Sequence, residues 1–409
     1  MGGGIVDTAP VRSTRLDWNP AENALAGVAR AAAARGGMLD LTETNPTRVS
    51  LPYPAQALAA ALARAPFATY APTPLGLPAA RAAVAAEHAR DGVTVDPARV
   101  VITASSSESY SFLFKLCADP GDAVLVPEPS YPLFEYLARL EGVVPLGYRL
   151  AFDGVWHVDF ASVAEALALA RRDGRRPRAL VVVNPNNPTG SFLKRDELAR
   201  LAAIAARDDL ALVSDEVFAP YPFAADPTRV LTAAADPAAT DAPAVFSLGG
   251  LSKACGLPQL KLGWIVAGGR EAERSIAALE LVADTYLSVA TPVQAALEEL
   301  LRLGAEVRVA ISARVAGNRA TLAAALPAGA GCTLLPAEGG WSAIVRLPAS
   351  RSDEAWAAGL ATEAGVLVQP GYFFDLRGGT FLVVSLLPAP DVFATAVARV
   401  VAHVEAVLR

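Results

Sequence analysis

The sequence has few of the residues that build metal centres, histidine-based triads or disulfide frameworks. Its 409 residues include only three histidines and three cysteines. Cys117, Cys255 and Cys332 are odd in number and far apart, which favours reduced thiols over disulfides. The histidines are scattered along the chain. We therefore expect neither a bound metal nor a catalytic histidine triad.

Positive charge and long apolar runs are also scarce. The chain has 35 Lys and Arg against 41 Asp and Glu, a net charge of −6, so there is no excess of cations to neutralise nucleic-acid phosphates. The longest uncharged stretch, residues 320–337, is interrupted by Pro327 and Pro336, which would break a membrane-spanning helix. The first residues carry no basic segment followed by an apolar one. We expect a cytoplasmic protein with no nucleic-acid or membrane partner.

From about residue 99 the sequence repeats one pattern: a short apolar run, a turn rich in Pro, Gly, Ser or Asn, and an alanine-rich helical stretch. Unbroken apolar runs of strand length are typical of strands buried on both faces. Their alternation with helices predicts an α/β fold with a mostly parallel sheet flanked by helices. The runs are residues 100–102, 123–126, 179–183, 210–213, 244–246 and 264–266.

The pattern changes after residue 300. Short strands are predicted at residues 343–346 and 381–387, and a terminal helix is predicted from Asp391. We interpret this region as a smaller α+β C-terminal domain. The predicted division is a large domain over residues 46–290 and a small domain over 291–409, with residues 1–45 packing on the small domain or on a partner subunit.

Polar residues follow five of the six apolar runs, at residues 103–108, 127–131, 184–190, 214–216 and 249–253. In parallel sheets, ligands bind beyond the carboxyl ends of the strands. One polar site at one sheet edge is therefore predicted. It contains hydroxyl and N–H groups that can hold a phosphate at a helix start, an aromatic ring, an amide, a carboxylate and a lysine.

This set of groups matches the needs of one cofactor, pyridoxal 5′-phosphate (PLP). A lysine amine can form a Schiff base with its aldehyde, and a carboxylate keeps its pyridine nitrogen protonated. Lys253 and Asp215 provide that pair. With the motifs at residues 184–190, 214–216 and 252–253, the chain from about Leu41 onward resembles the class I/II aminotransferases, which are aspartate aminotransferase-like fold type I PLP-dependent enzymes.

The resemblance implies a homodimeric aminotransferase that moves an amino group from a donor, expected to be an amino acid, to an oxo acceptor by a ping-pong mechanism. Lys253 would form the Schiff base and carry the substrate proton, and Asp215 would pair with the pyridine nitrogen. The other implied contacts are Tyr131 on the ring, Asn187 at the phenolate oxygen and the substrate, Ser105, Ser106, Ser107, Ser252 and Lys261 at the phosphate, and Tyr70 at the partner subunit's phosphate.

Two departures from the family concern the cofactor. Phe218 stands where the family has a tyrosine that donates to the phenolate oxygen, so a donor is missing unless Tyr221 substitutes. Without a donor the Schiff base should keep its proton to higher pH. Lys261 stands where an arginine is common. The lysine keeps the positive charge but cannot make the bidentate hydrogen bonds that a guanidinium makes with phosphate.

Two further departures concern the substrate carboxylate. Val383 stands where the family has the arginine that binds this group, and Thr44 where it has a glycine. Either another cation takes over, or the substrate is not an ordinary α-amino acid. The candidate cations are Arg377, Arg48, Arg15 and Arg12; Arg377, Thr44 and Asn187 are the predicted substrate-binding residues, and Trp341 and Tyr372 are further candidates to line the pocket.

The alternatives to transamination keep the cofactor. They are a PLP-dependent lyase, decarboxylase or oxidase on the same fold, and a non-catalytic PLP-binding protein. The same carbanion chemistry serves all of these enzymes, and the fold alone does not decide which bond breaks.

Overall fold

The structure is a computed structural model that describes residues 12–18, 27–28, 30–31, 36–65, 69–326 and 331–409. The strands in these ranges are β1 (Leu39–Asp40), β2 (Val100–Thr103), β3 (Ala123–Glu128), β4 (Val144–Phe152), β5 (Trp156–Val158), β6 (Pro177–Val183), β7 (Ala211–Asp215), β8 (Ala244–Gly250), β9 (Gly263–Gly268), β10 (Thr333–Leu334), β11 (Ser342–Leu347), β12 (Val366–Leu367), β13 (Gln369–Pro370) and β14 (Thr380–Ser385).

The helices are α1 (Ala55–Ala63), α2 (Pro78–Arg90), α3 (Ser106–Cys117), α4 (Leu133–Leu140), α5 (Phe160–Arg172), α6 (Arg195–Asp208), α7 (Leu251–Ala254), α8 (Ala272–Tyr286), α9 (Thr291–Ala295), α10 (Leu297–Ala325), α11 (Asp353–Gly359) and α12 (Pro390–Leu408). Short 3₁₀ turns include Pro258–Leu260 and Gly371–Phe374. None of the helices in the described ranges is both long and apolar enough to cross a membrane.

Eight strands form one sheet in the order β2-β9-β8-β7-β6-β3-β4-β5. Strands β8, β7, β6, β3 and β4 are parallel, whereas β9 is antiparallel to β2 and β8, and β5 is antiparallel to β4. The predicted mostly parallel sheet is confirmed: five of the six apolar runs lie within its strands, and the run at residues 210–213 begins one residue before β7. Strand β4 lies outside those runs because its sequence mixes Pro145, Gly147 and Arg149 with apolar residues.

Helices cover both faces of this sheet. Val124 and Val213 pack into a core with residues of α3 and α8 on one face. The next residue of β3, Leu125, and Leu212 of β7 pack with residues of α5 and α6 on the other face. Successive side chains of a strand point to opposite faces, so a strand covered on both sides needs apolar residues at every position. This explains the unbroken apolar runs.

A second, four-stranded sheet has the order β10-β11-β14-β13 and is antiparallel. Strand β1 pairs in parallel with β12, and Leu41 is buried in a core with Leu382 and with Phe393 of α12. The 29-residue helix α10 contacts α12 as well as α1, α2 and α7, and so joins the two parts of the molecule. The limits of the domains at residues 45 and 290 stay predictions.

Candidate active site

The polar segments predicted from the sequence lie at one edge of the large sheet. Asp215 ends β7, Asn187 follows β6, and the serines at residues 105–107 follow β2, whose direction matches that of β7. Lys261 precedes β9 rather than following it. Because β9 is antiparallel to its neighbours, its first residues lie at the edge where the parallel strands end. Reversal of one strand thus adds a cation to the site.

Asp215 is a buried carboxylate with two hydrogen-bond donors. Tyr110 of α3 donates its hydroxyl to Oδ2 at 3.1 Å, and the backbone N–H of Val217 donates to Oδ1 at 3.2 Å. Burial raises the pKa of Asp215 to about 6, although the two hydrogen bonds and the charge of Lys253 oppose that rise. The carboxyl is mostly ionised at neutral pH and can pair with a protonated pyridine nitrogen. Sequence reasoning missed Tyr110, which lies one turn into the helix that begins at the serines.

Lys253 lies in the short helix α7, directly after β8, beside two aromatic rings. Its Nζ atom is 5.1 Å from the ring centroid of Trp341 and 5.5 Å from that of Phe218. Burial lowers the pKa of Lys253, and the nearby charge of Asp215 partly offsets that effect. A lysine with a lowered pKa has more neutral amine available to react with an aldehyde.

Phe218, Trp341 and Tyr221 form an aromatic cluster beside Lys253. The ring of Trp341 makes edge contacts with Phe218, at a centroid distance of 5.3 Å, and with Tyr221, at 5.1 Å. Tyr221 donates its hydroxyl to the backbone carbonyl of Lys253 and so helps to hold α7. This hydrogen bond uses the only proton of the Tyr221 hydroxyl, which argues against the alternative that Tyr221 replaces the missing tyrosine.

The serines after β2 form the start of helix α3. Ser105 caps the helix by accepting a hydrogen bond from the N–H of Glu108 at 3.2 Å, and Ser106 and Ser107 are partly buried in the first turn. Ser252 is partly buried in α7, and Lys261 is exposed after the Pro258–Leu260 turn. Hydroxyls and free N–H groups at a helix start, together with an ammonium group, are the donors that hold phosphate esters.

Neighbouring amides hold the loop that carries Asn187. Asn184 donates to the carbonyl of Val230 at 3.0 Å, and Asn186 donates to the carbonyl of Pro129 at 3.2 Å. Asn187 Oδ1 accepts a hydrogen bond from the hydroxyl of Ser342 in β11 at 3.0 Å. With its oxygen engaged, Asn187 has its NH₂ group left to donate to another acceptor.

Tyr131 and Arg377 lie where the loop after β3 meets the turn before β14. The N–H of Ser130 donates to the carbonyl of Phe374 at 3.0 Å, and the rings of Tyr131 and Phe374 are 6.4 Å apart. Arg377 forms an ion pair with Glu128 at 3.0 Å. Tyr131 is 48% exposed and keeps a ring face available. This contact brings Arg377 to the loop that carries Tyr131.

Val383 is only 1% exposed. It pairs across β14 and β11 with Ile344, and both belong to an apolar cluster with Phe374, Phe381 and two leucines. Ser385 on the same strand donates its hydroxyl to the carbonyl of Glu43, next to the exposed Thr44.

Of the other candidate cations, Arg48 pairs with Glu43 at 3.4 Å, and Arg12 and Arg15 are exposed in the 12–18 segment.

Tyr70 is 77% exposed and lines a shallow cavity together with Ile102 and Ser288. Ser288 donates its hydroxyl to Glu108, which lies in the first turn of α3. The cavity therefore borders the serine loop.

Glu216, the residue after Asp215, forms its own set of contacts. It accepts hydrogen bonds from the N–H of Ala233 and the hydroxyl of Ser247, both at 2.8 Å. Burial raises the pKa of Glu216 to about 8, and the charge of Asp215 adds to that rise. Sequence reasoning did not assign Glu216 a role.

A buried ionised carboxylate, a lysine with a lowered pKa, a donor amide and a helix start rich in hydroxyls together suit PLP, and on a mostly parallel sheet they define a fold type I PLP-dependent enzyme. The model of the family "aminotransferase class I and II" matches residues 37–392. The chain belongs to this family, and its cofactor is PLP.

Individual proteins agree with this assignment. The chain is 29% identical over 368 residues to valine–pyruvate aminotransferase of Mycobacterium tuberculosis, which covers 87% of this chain and 89% of that protein. It is 30% identical over 252 residues to nicotianamine aminotransferase B of Hordeum vulgare, covering 60% of this chain and 43%, less than half, of that longer protein. An aminotransferase from Escherichia coli has the same fold, with a TM-score of 0.82 at 21% identity over 97% of this chain and 99% of that one.

Proposed function

We propose that this protein is a homodimeric, cytoplasmic aminotransferase that moves an amino group from an amino-acid donor to an oxo acceptor through two ping-pong half-reactions. The observation that carries the proposal is the placement of Lys253 directly after β8 and of Asp215 at the end of the adjacent strand β7. Together these two residues provide an amine that can react with an aldehyde and a buried anion that can hold a ring nitrogen.

Bound PLP supplies an aldehyde that carries the amino group between the half-reactions and a ring that stabilises negative charge at the substrate's α carbon. Asp215 holds the ring nitrogen, and Tyr110 orients the carboxylate. The Nζ atom of Lys253 takes the proton from the α carbon and later returns a proton. Burial favours this role because it lowers the pKa of Lys253 and leaves more neutral amine at pH 7.

The remaining residues bind and orient the cofactor. Asn187 donates its amide N–H to the phenolate oxygen and faces the substrate, and Tyr131 packs on the ring. The phosphate is held by Ser105, Ser106, Ser107, Ser252 and Lys261. The helix start at α3 and the ammonium of Lys261 support this assignment because both favour an anion.

The homodimer is proposed from the surface around Tyr70. This ring is 77% exposed, and Leu281 and Tyr286 of α8 are also largely exposed. Tyr286 contacts Phe112, which lines the same cavity as Tyr70. A second copy of the chain that covered this surface would bury it and bring Tyr70 to the partner's phosphate.

The unpaired cysteines 117, 255 and 332 support a reducing, cytoplasmic location.

Arg377 is our proposed anchor for the substrate carboxylate. It lies on the turn that packs against the Tyr131 loop, and its present partner, Glu128, is also a carboxylate. A substrate carboxylate can replace Glu128 without leaving the guanidinium unpaired. Thr44, which is exposed beside the Ser385–Glu43 contact, is the proposed second contact to this group.

One observation favours a second candidate, a PLP-dependent lyase, decarboxylase or oxidase. At Val383 the chain buries an apolar side chain where the resemblance places the carboxylate-binding arginine. A carboxylate anchor also decides which bond lies perpendicular to the ring, so an altered anchor can change the bond that breaks.

Single-turnover mass spectrometry of the PLP-loaded protein separates the two candidates. The protein is incubated with amino acids and with amines and amino sugars that lack an α-carboxylate. We expect pyridoxamine phosphate to accumulate with α-amino acids. Consumption of the donor while the cofactor stays an aldehyde would favour the second candidate. If no donor were consumed, the proposal of transamination from amino acids would be overturned.

A further inference from the structure

Trp341 carries a buried hydrogen-bond donor that nothing in the described part of the chain satisfies. The side chain is 2% exposed, and its Nε1–H has no acceptor there. Most buried N–H groups in proteins are paired with protein atoms, water or a ligand. An indole nitrogen can only donate, so the partner of Trp341 must be an acceptor.

The indole lies between the lysine and the amide loop. Its ring centroid is 5.1 Å from Lys253 Nζ. The next residue, Ser342, contacts Asn187 Oδ1 at 3.0 Å. Edge contacts with Phe218 and Tyr221 hold the ring in place. The unpaired donor is therefore fixed in the part of the site where the cofactor's aldehyde must react.

The chemistry of PLP places an acceptor in that region. The phenolate oxygen is attached to the ring carbon next to the one that carries the aldehyde, so a Schiff base with Lys253 brings this oxygen close to the lysine nitrogen. Phe218 has no donor, and Tyr221 donates to the carbonyl of Lys253. Of these three aromatic side chains beside Lys253, only Trp341 has a donor left.

We propose that the indole N–H of Trp341 donates a hydrogen bond to the phenolate oxygen of bound PLP and takes over the role that Phe218 cannot fill. The inference rests on the proposed Schiff base at Lys253 but does not depend on which reaction follows. A donor to the charged oxygen stabilises the unprotonated Schiff base. Its presence should therefore keep the pKa of the Schiff base low despite the phenylalanine at position 218.

The test is a pH titration of the Schiff-base absorption band in the holoenzyme. We expect Trp341→Phe to raise the pKa of the Schiff base by about 1–2 units, since a hydrogen bond to a charged group is lost. Trp156→Phe removes another buried indole donor that lacks an acceptor among the described residues, in the edge strand β5 of the large sheet, and should leave the titration near that of the wild type. A Trp341→Phe protein that titrates like the wild type would overturn the proposal.

A double variant separates the lost donor from lost packing. In Phe218→Tyr/Trp341→Phe, the new phenol can donate where the indole no longer does, so the pKa should return toward the wild-type value. If the double variant keeps the raised pKa of Trp341→Phe, the indole acts through packing and the proposal fails.

A measurement on the unaltered chain covers the case in which Trp341→Phe does not fold or bind PLP. The indole N–H proton of Trp341 in the NMR spectrum should shift downfield when PLP is added. It should not shift in this way with 3-deoxypyridoxal phosphate, which lacks the phenolate oxygen. Equal shifts with both cofactors would assign the donor to another acceptor. Neither experiment needs turnover, so a protein that fails to transaminate can still confirm the hydrogen bond.

Discussion

The two sides of the site are built differently. On the side of the large sheet, each reactive group is polar and fixed by named contacts: Tyr110 holds Asp215, Tyr221 holds the backbone of Lys253, and Ser342 holds Asn187. On the side of the small sheet, Val383 and Ile344 are buried in an apolar cluster. The groups proposed to bind the cofactor thus lie at a preorganised edge, whereas Arg377 and Thr44, which are proposed to hold the substrate carboxylate, lie in loops at its rim.

The apolar cluster also explains why no cation stands at position 383. An arginine there would lie among the apolar side chains of Ile344, Phe374 and Phe381. A buried charge without a partner is strongly unfavourable. The cation proposed for the substrate lies instead at Arg377, where solvent and Glu128 stabilise its charge.

The largest effect is expected at the preorganised side, from Lys253→Ala. Loss of the proton carrier should lower the rate by about 10²–10⁴-fold or more, because general acid–base catalysis contributes that much. Borohydride trapping followed by mass spectrometry should find no cofactor attached to the chain. The exposed Lys261→Ala is the matched control and should still be trapped. A trapped cofactor in Lys253→Ala would refute the assignment of Lys253.

A pH effect on stability is expected next, from Glu216 beside Asp215. Burial raises its pKa from 4.5 to about 8 in the folded protein. The stabilisation by the neutral carboxyl is therefore complete below about pH 4.5 and is lost as the pH rises to about 8, at about 1.4 kcal/mol per pH unit. Chemical unfolding at pH 6.5 and 8.5 should show this loss in the wild type.

Glu216→Gln should flatten that pH dependence, since the amide does not titrate and can still accept from Ala233 and Ser247. The exposed Glu280→Gln serves as the matched control and should unfold like the wild type at both pH values. Equal losses in Glu216→Gln and wild type would show that another group titrates.

At the rim, Arg377→Ala should raise KM for a donor with an α-carboxylate by about 10–100-fold. The reason is that a hydrogen bond to a charged group, worth about 1.5–3 kcal/mol, is lost. The matched control is Arg48→Ala, another exposed arginine paired with a glutamate. The corresponding amine without a carboxylate should bind both variants alike. Unchanged KM in Arg377→Ala would mean that the substrate carboxylate is held elsewhere or is absent.

The smallest effect is expected from Lys261→Arg. A guanidinium can grip a phosphate with two parallel hydrogen bonds, so PLP should dissociate a few-fold more slowly, equivalent to about 1 kcal/mol at most. Lys115→Arg, at an ion-paired surface lysine, should leave the release of PLP unchanged. Faster release in Lys261→Arg would remove this residue from the phosphate site.

Much of the preorganised side could be predicted from the order of residues along the chain. The run at residues 210–213 marked β7, and Asp215 at its end was predicted to lie at the site. Tyr110 was not predicted because its contact with Asp215 joins residues 105 positions apart. The contact of Tyr221 with the backbone carbonyl of Lys253 in α7 was not predicted either, because it also joins two separate segments of the chain.

The apolar runs and the residues after them were enough to predict the sheet, the edge that carries the chemistry and the cofactor. Burial on both faces forces a local apolar pattern, and strand ends place the next residues at the edge, so both features can be read along the chain. The reversal of β9 that brings Lys261 to the edge, the pairing of Arg377 with Glu128 and the unpaired donor of Trp341 became apparent only in the folded molecule. Each of them depends on how segments distant in the sequence approach one another, and no local pattern of residues encodes that approach.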